Sequence, residues 1–402
     1  MSFKFPTELI TEGRVKVIVP KLEAFKRKAW EYAPSKAPVF YNPAMEMNRD
    51  IAVLALKAYG KCRRNKLKVS EPLAGCGVRG IRFAVEVENV EKVFVNDINP
   101  LAVLMIRRNV TLNNVEEKVI IENLDANLFL SKYAAPRRRF NFIDLDPFGS
   151  PAPFLDSAVR AIKDGGLLAL TATDMAPLCG VHPKASIRKY GGRPLRTEYC
   201  KEIAVRLLIG SLVFVSAKHE MGIRPLLAYS TDHYSRLYAS LIHGARAADD
   251  SISQLGYILH CFNCFHRESH NDITPILNLE CKECGSKMDL AGPLWVGKLC
   301  QKEFCTSLVK AAERSSFKNK KRILKILKII EIESDGPSTY YRIDKVCDKY
   351  GIRTPSLREV INAIKSRGFD ATPTHFHSSG IRTNAPAYII KEVIEENAGE
   401  TW

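Results

Sequence analysis

From residue 66 to about 240 the chain alternates short apolar runs with longer amphipathic ones. "KLKVSEPLAG" is an apolar run ending in small residues, and "VRGIRFAVEVE" has a helical pattern. "KVFVND", "KVIIENLDA", "NFIDLD" and "GLLALTATD" repeat the strand, with helical stretches such as "PLAVLMIRRNVTLNN" and "PFLDSAVRAIKD" between them. Alternation of this kind predicts an α/β, doubly wound parallel sheet with helices on both faces. A long helix near "EYCKEIAVRLLIGSLVFVSA" then leads into "RPLLAYST" and "YSRLYASLI", two strands able to pair as an edge hairpin.

In such a sheet, ligands sit at the carboxyl ends of the strands. "EPLAGCGVRG" places Gly75, Gly77 and Gly80 between the first strand and its helix. Glycines there let the backbone turn tightly and approach a ligand. Asp97 ends the next strand, positioned to hold two ribose hydroxyls. Asp125 follows the third strand and serves equally as an adenine acceptor or as a cap for "ANLFL". Read literally, the glycines fit an NAD-dependent oxidoreductase. Arg49 and Arg79 could each pair with a carboxylate, although either one alone reads as a solvated surface arginine. A ribose clamp, an adenine acceptor and an arginine-bound carboxylate together fit S-adenosylmethionine, whereas NAD has a diphosphate and no carboxylate.

The fourth strand ends in "NFIDLDPFGSP". Asp144 and Asp146 lie on one face of it, two residues apart. An exocyclic base amine is a poor nucleophile, because its lone pair is delocalised into the ring. A carboxylate accepting from its N–H groups draws that lone pair out. Pro147 stiffens the turn and Phe148 offers a flat face for a base to stack on.

With "PVFYNPAMEMNRD", "GVRGIRFA", "TATDMAPLCG", "KYGGRPLR" and "THFHSSGIRTNAP", the sequence resembles the tRNA (guanine-N2)-dimethyltransferases over nearly its whole length. The resemblance implies a Rossmann-like class I methyltransferase sheet. It implies methylation of the N2 of a guanine in tRNA, at position 26, with S-adenosylmethionine as donor. Arg49, Arg79, Asp97, Asp125 and Ala126 would contact the cofactor, Asp146 would hold the guanine amine, and Phe148 with Phe40 would sandwich the flipped base. Cys76 stands between the glycines where the family often has a small polar residue.

"HCFNCFHRESHNDITPILNLECKECGSK" holds Cys261, Cys264, Cys281 and Cys284 as two C-x2-C pairs. Four thiolates suit tetrahedral Zn2+ and leave no open position, so the implied metal is structural. His260, His266 and His270 are redundant beside them. The other seven cysteines have no such spacing and read as apolar fillers. An odd total of eleven, without an export signal, argues against a disulfide framework.

The formal charge of +16 points to a polyanionic partner. Residues 306–330 hold eight Lys or Arg against Glu313. Leu324, Leu327 and Ile330 form an apolar stripe, and Lys318, Lys321, Arg322, Lys325 and Lys328 lie off it, facing solvent or tRNA backbone. Four regions are expected: an N-terminal segment completing the active site (1–50), the methyltransferase domain (51–256), a small zinc ribbon (257–292) and a separate α+β, basic, tRNA-binding C-terminal domain (293–402). No apolar run reaches the ~18 residues of a membrane span. A cytoplasmic monomer is expected. The non-enzyme alternative is a zinc-ribbon RNA-binding protein.

Overall fold

The computed structural model describes residues 3–26, 33–61 and 63–398. The chain divides into two compact units. One comprises Met1–Pro147, Phe154–Leu170 and Thr306–Lys325; the other comprises Phe148–Pro153, Thr171–Cys305 and Ile326–Trp402.

The first unit opens with a hairpin of β1 (Thr7–Glu12) and β2 (Val15–Pro20), whose Val15, Val17 and Val19 are buried. Five parallel strands follow: β3 (Leu67–Glu71), β4 (Val90–Asn96), β5 (Val119–Glu122), β6 (Phe140–Leu145) and β7 (Ile162–Ala172). Val69, Val93, Val95, Phe142, Ile143 and Leu168 are fully buried, as strands covered on both faces require. The connecting helices are Val78–Glu86, Pro100–Leu112, Ala126–Lys132 and Leu155–Ala161. The last two of the sheet's seven strands are a hairpin of β8 (Met221–Thr231) and β9 (Tyr234–His243), which the division assigns to the second unit; the strand order is β5-β4-β3-β6-β7-β9-β8. Strand order reverses between β3 and β6, which makes the mouth above their carboxyl ends the place for a ligand.

The sequence puts Ile162–Asp164 at the end of a helix, but the strand already begins there. Phe140 pairs with Ile162 and Phe142 with Leu167, so β7 bulges between them. Gly165, at φ +65°, supplies the left-handed residue that the bulge needs.

In the second unit, β10 (Leu255–His260), β11 (Arg267–His270) and β12 (Asp289–Trp295) form an antiparallel sheet beside the cysteine quartet. A further sheet of β13 (Tyr341–Arg342), β14 (Ala371–Thr374) and β15 (His377–Thr383) packs with helices Ile343–Tyr350, Leu357–Ser366 and Ala387–Asn397 around Val360, Ile364, Ile381, Ile390 and Val393. The last of these helices was not evident in the sequence pattern. Arg382, in "GIRTNAP", is buried and bonds Glu202 (2.9 Å) and Glu333 (2.9 Å). That motif therefore ties the C-terminal layer to helix Cys200–Ala217.

In helix Lys320–Glu333 the buried stripe is Ile323, Leu327 and Ile330, with Leu324 only half-buried. Lys318, Lys321, Arg322, Lys325 and Lys328 are exposed as expected. Among the described residues no helix is long and apolar enough to cross a membrane.

Candidate active site

Asn96, fully buried at the end of β4, stitches three strand ends together. Its amide donates to the carbonyls of Pro72 (2.9 Å) and Leu124 (3.0 Å), and its oxygen accepts from Leu124 N (3.0 Å). This fixes the loops after β3, β4 and β5. Gly75 sits at φ +55°, and its N–H donates to Asp97 Oδ2 at 2.7 Å. Asp97 Oδ1 accepts from Asn99 N at 2.9 Å. A carboxylate has about four acceptor directions, so two remain for ribose hydroxyls. A Cβ on Gly75 would fall 2.6 Å from the carbonyl oxygen of Phe40, so only glycine lets that segment close on the loop. Gly77 and Gly80 serve packing instead: their added Cβ atoms would meet Ile106 (2.9 Å) and Glu71 (2.6 Å).

Asp125 caps helix Ala126–Lys132, accepting from Asn127 N (2.9 Å) and Leu128 N (3.2 Å), and is itself exposed, with Ala126 buried behind it. Both readings of Asp125 fit this geometry, since the cap occupies only one of its oxygens.

Helix Glu46–Lys61 follows a short turn that Asn42 caps with its side chain. It carries Asn48, Arg49 and Asp50, all buried. Arg49 is gripped by Glu12: Nε at 2.7 Å and Nη2 at 2.5 Å, while Nη1 donates to the Asn42 carbonyl at 3.1 Å. Three of five N–H groups are thereby used, and the guanidinium plane is fixed. Arg82 donates to the same Glu12 (3.0 Å), to Asp50 (2.8 Å) and to Glu86 (2.7 Å). Burial alone would raise Glu12's pKa; Arg49 and Arg82 more than reverse this and hold it below the usual carboxylate range.

A second hub surrounds Arg79. It pairs with Asp146 and with Asp144 (3.3 Å), donates to Asn48 Oδ1 (2.9 Å), and lies 3.8 Å from Glu71. Burial pushes Glu71 up to about 8, against the pull of Arg79. Asp144 is fully buried, while the Asp146 side chain keeps 19% of its exposure. Arginine donates only, so the Asn48 oxygen faces Arg79; its buried amide nitrogen has no hydrogen-bond partner among the described residues. Phe40 is 39% exposed and Phe148 72%, both unusually open for phenylalanine.

The sequence profile of the N2,N2-dimethylguanosine tRNA methyltransferases matches residues 13–395. The chain belongs to that family. It is 42% identical over 385 residues to the tRNA (guanine(26)-N(2))-dimethyltransferase of Methanothermobacter thermautotrophicus, covering 96% of this chain and 98% of that one. It is 38% identical over 391 residues to the tRNA (guanine(26)-N(2)/guanine(27)-N(2))-dimethyltransferase of Aquifex aeolicus, covering 97% and 96%. The solved structure of Trm1 from Pyrococcus horikoshii with S-adenosyl-L-methionine superposes with a TM-score of 0.84 at 37% identity, over 96% of this chain and all of that one.

Spacing alone did not single out the residues that frame the two arginines: Glu12 and Arg82 frame Arg49, and Asn48 and Glu71 frame Arg79. Asn48 and Arg82 lie in the family's quoted motifs "PVFYNPAMEMNRD" and "GVRGIRFA"; Glu12 and Glu71 lie in none of those motifs. In the second unit, the turn carrying Phe148 is strapped to the end of β7. Gly149 N donates to Thr173 Oγ1 (2.8 Å), Thr173 N to the Gly149 carbonyl (2.9 Å), and Ser150 Oγ to the Tyr190 hydroxyl (2.7 Å), which donates to Asp174 (2.5 Å). Three of these residues, Thr173, Asp174 and Tyr190, lie in "TATDMAPLCG" and "KYGGRPLR"; those two motifs were the available signal.

Cys261, Cys264, Cys281 and Cys284 converge, with their sulfurs within 4.8 Å of one another. The pairs Cys261–Cys284 and Cys264–Cys281 stand 3.5 Å apart. Tetrahedral Zn–S bonds of about 2.3 Å require sulfurs about 3.8 Å apart, so the quartet fits the ion. His266 and His270 pair with Glu268, and His260 is buried. Of the other cysteines, Cys76, Cys300, Cys305 and Cys347 are buried fillers, but Cys179 and Cys200 are half-buried; Cys62 lies outside the described residues.

Proposed function

We propose that this protein transfers one or two methyl groups to the exocyclic N2 of a guanine in tRNA, at position 26. Bound S-adenosylmethionine supplies an electrophilic methyl and leaves as S-adenosylhomocysteine. Asp97 holds its ribose, Asp125 and Ala126 its adenine, and Arg49 and Arg79 its carboxylate. Asp146 accepts from the guanine N2–H, exposes the nitrogen lone pair and takes up the proton that the new N–C bond displaces. Phe148 and Phe40 offer stacking faces that offset the cost of unstacking the base. Orientation, more than strong base chemistry, supplies the rate.

The observation that carries this reading is the ending of β6. An ion-paired but partly exposed carboxylate, Asp146, precedes a strapped turn that displays an exposed Phe148. A dehydrogenase has no use for either feature, and a passive RNA-binding module would use the ring to stack a base but has no use for the carboxylate beside it. The four cysteines hold a structural Zn2+. The test is incubation of unmodified tRNA with methyl-labelled S-adenosylmethionine, followed by nucleoside mass spectrometry. N2-methylguanosine and N2,N2-dimethylguanosine are expected, and both are lost when guanine 26 is replaced by adenine.

A further inference from the structure

Between Asp174 and Glu198 the chain carries no acidic residue, yet it holds His182, Lys184, Arg188, Lys189, Arg193 and Arg196. All six are exposed. The centre of the segment is helix Pro183–Tyr190, ended by Gly191 at φ +74°. Lys184 and Arg188 are one turn apart and share a face. Lys189 pairs with Asp174 (2.9 Å) and Arg193 with Asp289 (3.6 Å). Lys184, Arg188 and Arg196 have no acidic partner among the described residues.

The helix is also fastened to the turn that displays Phe148. Tyr190, its last residue, is buried and its hydroxyl links Ser150 on that turn to Asp174. The basic face and the aromatic turn are thus held by one hydrogen-bonded bolt within the second unit.

We propose that this face, centred on Lys184 and Arg188, receives RNA phosphates next to the target guanosine. The inference rests on the function proposed above and names a surface for its substrate. A base drawn out of its stack leaves its own phosphate and those of its neighbours within one or two nucleotides of the pocket. Unpaired lysine and arginine heads gain most from such phosphates, because binding releases condensed counterions. The bolt at Tyr190 keeps the phosphate contacts in register with the stacking ring.

The test uses the full-length protein with Lys184→Ala/Arg188→Ala. Affinity for unmodified tRNA is measured across a salt series, alongside methyl-transfer kinetics and S-adenosylhomocysteine affinity. The salt slope is expected to become shallower by about 1.5, since each of the two lost phosphate contacts removes about 0.7–0.9. KM for tRNA is expected to rise at least fivefold, with kcat within threefold and S-adenosylhomocysteine affinity unchanged. Lys184→Arg/Arg188→Lys keeps both charges and is expected to match the parent. The inference is overturned if the alanine variant keeps the parental slope and KM, or if the charge-preserving variant loses as much as the alanine one. It is also overturned if polyglutamate displaces tRNA from this face as well as RNA does. A parent that methylates no tRNA would refute the underlying function instead.

Discussion

Glu12 grips Arg49 through both carboxylate oxygens, at 2.7 and 2.5 Å, and shares one of them with Arg82 at 3.0 Å. The guanidinium plane of Arg49, proposed above to hold the cofactor carboxylate, is thus set by a residue 37 positions away. Glu12→Gln keeps the shape and removes the charge. It is expected to weaken S-adenosylhomocysteine binding about tenfold by calorimetry and to leave tRNA affinity unchanged. Glu12→Ala leaves two buried guanidiniums short of a partner and is expected to cost about 3–5 kcal/mol of stability. Parental cofactor affinity in Glu12→Gln would show that Arg49 needs no such frame.

The strap on the Phe148 turn predicts a different signature. Tyr190→Phe removes the acceptor for Ser150 and the donor to Asp174, a loss of about 1–2 kcal/mol in stability. Methyl transfer is expected to fall at least tenfold in kcat/KM for tRNA, because the stacking ring loses its position. Cofactor affinity should hold. A change in urea midpoint with no change in kcat/KM would mean that the strap is structural only.

Glu71 gives a pH prediction. Its folded pKa of about 8 lies above the ordinary 4.5, so between those values the native state keeps a proton that the unfolded chain has lost. Stability contributed at Glu71 therefore falls as pH rises through that window. Glu71→Gln mimics the neutral acid at every pH. Relative to the parent, it is expected to gain stability steadily from about pH 5 to about pH 8, read from urea midpoints. A constant difference across that range would contradict the raised pKa.

Metal removal addresses the cysteine quartet. Elemental analysis is expected to find one zinc per chain, and Cys281→Ser or strong chelation to release it. Because thiolate sites are assembled only on folding, β10, β11 and β12 should then lose amide-exchange protection. S-adenosylhomocysteine binding should be unaffected. Full protection after verified zinc loss would make the ion dispensable.

Much of this architecture was legible in the residues. The alternating runs give the parallel sheet, because strands buried on both faces must be almost wholly apolar. The C-x2-C pairs give the quartet, and the turn after β6 gives Asp146 and Phe148. The charge frames were not legible. Glu12 meets Arg49 and Arg82 only after β1 is laid beside them, and no local period records a contact over 37 or 70 residues. The glycines were legible as a loop but not in their separate duties: Gly75 admits Phe40, whereas Gly77 and Gly80 admit Ile106 and Glu71. The start of β7 was misread because Ile162–Asp164 continues a helical pattern, and only the Gly165 bulge lets those residues join the sheet.

The most direct test of the account is Asp146→Asn, which keeps the shape at the end of β6 and removes the acceptor charge. Single-turnover methyl transfer to tRNA is measured beside equilibrium binding of S-adenosylhomocysteine and of tRNA. The account predicts a fall of about a hundredfold or more in the transfer rate, with both affinities within threefold of the parent. Transfer at the parental rate would contradict it.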